Sequence, residues 1–163
     1  MERKNNELFN AIDVGNLFSQ WHPDIRKFTK DINQYCVLNL IKTIKESSFD
    51  TTKYSSLLNF VNTKNCKQIL NRVLEEKNTS NFIDILKQRD TFYPRDIDRG
   101  FSIGEIFKLV QENNYHPILF LELNKNYYII DGRTRLYCCI FLNVPAKIRV
   151  IKDSLLLETC KKY

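Results

Sequence analysis

The 163 residues predict an α+β fold: a helical N-terminal region followed by a small mixed α/β domain. Two patterns carry this expectation. Before residue 91 apolar residues recur with a period near 3.6, the signature of amphipathic helices. After the junction "RDTFYPRDIDRG" the elements run helix, strand, strand, helix, strand, an order that mixed α and β layers produce. Hydrophobic residues make up 43% and aromatic residues 12%, enough to fill a core at this length. The expected division is therefore 1–90, helical, and 91–163, mixed.

In the first part Leu8, Ile12 and Phe18 suggest an opening helix that stops near "HPD", because proline constrains its predecessor and cannot extend a helix inward. Ile25, Phe28, Ile32, Tyr35, Cys36 and Ile44 mark one face of a long helix through about residue 46. "SSFDTTKY" reads as a break rich in capping residues. Shorter helices follow, on Leu57, Leu58 and Val61, on Ile69, Leu70, Val73 and Leu74, and on Phe82, Ile83 and Leu86, with "EEKNTSN" as the clearest loop.

In the second part Ser102 can cap a helix over 103–113 whose inward face is Ile103, Ile106, Phe107 and Val110. "PILFLEL" is a strand, "NKN" a tight turn, and "YYII" the returning arm of a hairpin. "TRLYCCIFLN" is then a helix and "AKIRVI" a closing strand rich in β-branched residues.

Composition narrows the function only a little. The net charge of +6 is spread evenly: 14 basic and 11 acidic side chains lie in 1–90, 11 and 8 in 91–163. A mild, even excess fits a polyanionic ligand of any size and also fits simple solubility. Five cysteines without CxxC spacing, and only two histidines, give no metal site and read as free thiols of a reducing cytoplasm. Nowhere do eighteen apolar residues run together, so no membrane partner is expected. The first residues, "MERKNNELFNAIDVGN", lack the apolar core and cleavage site of a secretory signal.

The chemistry concentrates in "YYIIDGRTRLYCC", where a strand hands over to a helix through an acid, a glycine and two arginines. A helix N-terminus presents backbone N–H groups and the positive end of a dipole. Gly132 permits a tight turn and close approach of an anion, and Arg133 and Arg135 can add charge-assisted bonds to phosphate oxygens. Asp131 would repel phosphate; it is better suited to orienting an arginine, holding a metal ion or taking a proton from a substrate hydroxyl. The plainer alternative is that Asp131 caps the helix and the arginines make surface salt bridges. His116 could touch a ligand, yet it has no partner in the sequence. Cys138 and Cys139, on the helix, read as core residues.

Taken together, Pro94-Arg95, the helix at 103–113, Pro117-Ile118, the turn Gly132 to Arg135, and Val144-Pro145 with its strand resemble the ParB/sulfiredoxin superfamily domain over roughly residues 92–151. The resemblance implies that Gly132, Arg133, Thr134 and Arg135, with Arg95 and His116, bind a nucleotide: ATP or another nucleoside phosphate, with magnesium. It implies a nucleotide-binding protein, with a small-molecule kinase as one branch. A partition-like or nuclease-like protein that meets DNA is the alternative, and a homodimer is compatible with either. Arg133 stands where sulfiredoxin-like enzymes carry their reactive cysteine, so the repair of oxidised cysteine is not implied; partition proteins typically carry a glutamate there. In the kinase branch a carboxylate before the first helix acts as base; Asp96 and Asp98 lie in that segment, and Asp131 is the third catalytic candidate. On this resemblance Arg135→Ala should remove nucleotide affinity and leave the fold intact.

Overall fold

A computed structural model describes residues 27–28, 40, 43–51, 64–89 and 102–160 of the chain. The helices expected around Leu8 to Phe18 and around Leu57 to Val61 lie outside these residues, as does the segment holding Pro94, Arg95, Asp96 and Asp98. Lys27, Phe28, Leu40 and Thr43, within the long helix expected through about residue 46, are helical.

The fold is α+β; the described residues hold a four-stranded mixed sheet and, besides those four helical positions, five bounded helices. In chain order the elements are β1 (Ser47–Phe49), α1 (Lys64–Glu75), α2 (Thr79–Arg89), α3 (Ile103–Gln111), β2 (Ile118–Leu123), β3 (Asn126–Asp131), α4 (Arg133–Leu142), β4 (Ala146–Lys152) and α5 (Asp153–Cys160). The sheet order is β1-β4-β2-β3. β2 and β3 form an antiparallel hairpin, β2 and β4 run parallel, and β1 closes antiparallel on β4.

Local chemistry explains most boundaries. Ser102 caps α3: its hydroxyl accepts from the Glu105 N–H at 3.2 Å and lies 3.1 Å from the Glu105 carboxylate. Beyond the C-cap of α3, Glu112, Asn113 turns left-handed (φ 55°) while the Asn114 N–H donates to the Leu109 carbonyl at 2.9 Å. The hairpin turns on Asn124 and Lys125, both at positive φ (52° and 66°), the geometry that matches the twist of its arms. α4 ends on left-handed Asn143, with Val144 N–H returning to the Cys139 carbonyl.

One face of the sheet, carrying Ile118, Phe120, Ile129 and Ile148, packs with Ile103, Phe107 and Val110 of α3 and with α4. Ile69, Leu70 and Val73 of α1 and Phe82, Ile85 and Leu86 of α2 join the same core. Phe82 stacks on Phe141 at 4.3 Å between ring centres, and Phe107 meets both rings at 5.7 and 6.0 Å, so these aromatics tie α2, α3 and α4 together. Burial around its circumference makes α4 the central helix, since a helix that is apolar all round must be covered all round. α5 lies against β4 and β2 and buries Leu156.

Three sequence expectations change. "SSFDTTKY" is more than a capping break, because its first three residues are strand β1. A helix, α5, follows the last strand where none was expected. Leu74, assigned to the inner face of its helix, is exposed, while Ile85 is buried in α2.

Candidate functional site

At the end of β3 the chain reverses into α4 through Gly132, which adopts φ +101°. Such a backbone suits glycine, and here space also demands it: an added Cβ would sit 2.9 Å from the Arg135 guanidinium. Gly132 is the N-cap of α4 and makes no side-chain cap bond. Asp131 stands one position before that cap.

Asp131 pairs with Arg135. The Arg135 Nη2 donates to Asp131 Oδ2 at 2.9 Å, and both side chains are buried. Arg135 Nη1 donates to the carbonyls of His116 and Pro117, at 2.5 and 3.1 Å. One guanidinium thus joins the end of β3, the start of α4 and the entry to β2. This arginine is no surface ion-pair partner; its head lies folded back over Gly132. His116 enters the arrangement through its backbone carbonyl.

Thr134 is buried in the first turn of α4, and Arg133 is half-buried beside it. Of the expected site residues, the turn brings together Asp131, Gly132, Arg133, Thr134, Arg135 and the His116 carbonyl. Arg95, Asp96 and Asp98 lie outside the described residues.

Behind the turn, Cys139 of α4 donates its S–H to the Tyr115 hydroxyl at 3.5 Å, and the Lys147 N–H donates to the same oxygen at 2.9 Å. The Lys147 ammonium sits 4.5 Å from the centre of the Tyr115 ring. Burial pushes both the Cys139 thiol and the Tyr115 phenol upward from their ordinary values, which keeps them neutral. Cys138 and Cys139 are buried free thiols, unsuited to attack on a substrate. Tyr115 had no signal in the sequence, because a tyrosine in "NNYHP" reads equally well as loop or core.

Chemically, the turn combines the N-terminal end of a helix, a glycine whose missing side chain leaves room for the Arg135 guanidinium, and the charge of Arg133. Asp131 contributes by holding Arg135, and its carboxylate oxygen is engaged in that pair. Compared with protein-family models, with curated proteins and with solved structures, the chain matches none. No helix among the described residues is long and apolar enough to cross a membrane.

Proposed function

We propose that the turn from Gly132 to Arg135 binds the phosphate of a nucleotide, as the resemblance to ParB/sulfiredoxin domains implies. The observation that carries this reading is the opening of α4 directly from a strand end through a left-handed glycine at its N-cap. Arg133 is the side chain best disposed to meet the ligand, with magnesium as the companion ion of a nucleoside phosphate. Arg135, held by Asp131 and two carbonyls, supports the turn from behind.

This reading favours binding over catalysis by Asp131, whose carboxylate is already paired. Phosphoryl transfer to a small molecule would draw its base from another carboxylate, and Asp96 and Asp98 are the candidates. Two buried free thiols fit a cytoplasmic setting.

A thermal-shift panel of ATP, ADP, CTP and GTP, with and without magnesium, tests the proposal. A ligand at one hundred times its dissociation constant stabilises by about 2.7 kcal/mol, which is a measurable rise in melting temperature. No rise with any of the four would overturn it.

A further inference from the structure

A carboxylate at the mouth of a phosphate site opposes the ligand, so the place of Asp131 needs a reason. Asp131 and Arg135 are 7% and 8% exposed, and Asp131 Oδ2 lies 2.9 Å from Arg135 Nη2. The same nitrogen stands 2.9 Å from where a Cβ on Gly132 would be, with Cζ and Nε both 3.1 Å away. The guanidinium thus fills the space that a side chain on Gly132 would need. Two steps of 2.9 Å separate the carboxylate oxygen from that space. The negative charge of Asp131 and the positive charge of Arg135 therefore sit together at the first residue of the turn.

Charges held away from water act strongly on their surroundings and are little screened by salt. Arg135 by itself would draw an anion to the turn. Asp131, fixed on the same guanidinium, offsets that pull and repels the anion directly. Hydrogen bonding alone does not require a charge at position 131. Arg135 Nη1 donates to the His116 and Pro117 carbonyls, and a neutral amide oxygen at 131 could still accept from Nη2.

We propose that Asp131 is a built-in brake on the anion site: its carboxylate offsets the charge of Arg135 and holds down the affinity of the turn for phosphate, so that the ligand exchanges. This inference rests on the phosphate-binding reading of the turn. It fixes a sign. Neutralising Asp131 strengthens binding, whereas a carboxylate that only supports the turn, or one that holds magnesium, would weaken binding when lost. Asp131→Asn separates these cases, because asparagine keeps the shape, removes the charge and leaves an oxygen for Nη2.

The test is calorimetric titration of the full chain, wild type and Asp131→Asn, with pyrophosphate and ATP, each with and without magnesium. The variant should bind both probes at least about fivefold more tightly, whether magnesium is present or not. Binding detected in the variant and not in the wild type would be the same effect at larger size. Unchanged or weaker binding overturns the inference and leaves the reading of the turn in place. A loss confined to the magnesium titrations also overturns it, and makes Asp131 a metal ligand instead. Asp131→Ser, smaller and neutral, is the second variant with the same expectation, and amide spectra establish that both chains fold. If neither folds, the carboxylate serves the fold and the inference falls. If neither the wild type nor the variants bind either probe, the reading of the turn falls and this inference falls with it.

Discussion

The sharpest consequence at the level of single residues concerns Arg135. From sequence alone its loss should cost affinity and spare the fold, but its guanidinium satisfies a buried carboxylate and two backbone carbonyls. Removing one partner of a buried ion pair costs about 3–5 kcal/mol, because the other charge stays behind unpaired. Arg135→Ala should therefore lower the unfolding free energy read from urea titrations by that amount, and Asp131→Ala together with Arg135→Ala should cost less than the two single changes added. Full stability in Arg135→Ala would remove the pair from the fold's supports. A second residue-level prediction concerns alkali. Cys139 and Tyr115 hold their protons more tightly folded than unfolded, so above the unfolded values the native state binds more protons and stability falls as pH rises. The loss should be absent below about pH 8.5, begin there with the thiol and deepen beyond about 10 with the phenol. Urea midpoints measured across that range check it, and Cys139→Ser should flatten its first part. The gathering of Asp131, Gly132, Arg133 and Arg135 was legible as a motif, because a glycine between a strand and a helix has few other uses. What the motif did not disclose was direction. Whether Arg135 faces a ligand or folds back on its own helix depends on the His116 and Pro117 carbonyls, which no side-chain pattern reports.

Elements followed the sequence wherever their ends carry turn or cap chemistry. α3, β2, β3, α4 and β4 all lie where periodicity and capping put them, within a residue or two. β1 escaped notice because three residues, "SSF", are too short for alternation to show and are strand only through pairing with β4. α5 escaped because "DSLLLETC" places three leucines side by side, and only Leu156 among them is buried. The hairpin turn supplies an element-level prediction. Lys125 sits at φ 66°, a conformation that costs a side-chain-bearing residue about 1–2 kcal/mol and glycine much less. Lys125→Gly should raise the melting temperature, by an amount equivalent to about 1 kcal/mol. A fall would mean that the lysine side chain holds the turn through contacts of its own.

At the scale of the whole molecule, the helices before residue 90 and the α/β elements after it share one core. Phe82 of α2 is stacked on Phe141 of α4, Leu70 is fully covered, and β1 belongs to the same sheet as β4. A part of about seventy residues has little core to lose. A chain begun at residue 91 should therefore lack a cooperative thermal transition and show poorly dispersed amide resonances. A sharp melt from that fragment would show instead that the α/β part stands alone.

The hydroxyl of Thr51 donates to the carbonyl of Val144, 93 residues further along, and so pins the end of β1 to the entry of β4, its neighbour in the sheet. Time enters here. Joining ends so distant costs more chain entropy than closing the hairpin at Asn124 and Lys125, and that cost is met before any contact returns it. The hairpin should form early and β1 should dock late. Interactions absent from the transition state govern the rate of opening. Thr51→Ala should thus speed unfolding in stopped-flow experiments while the folding rate stays near that of the wild type. A slowed folding limb would place β1 in the nucleus; otherwise this edge is where the native molecule first lets go.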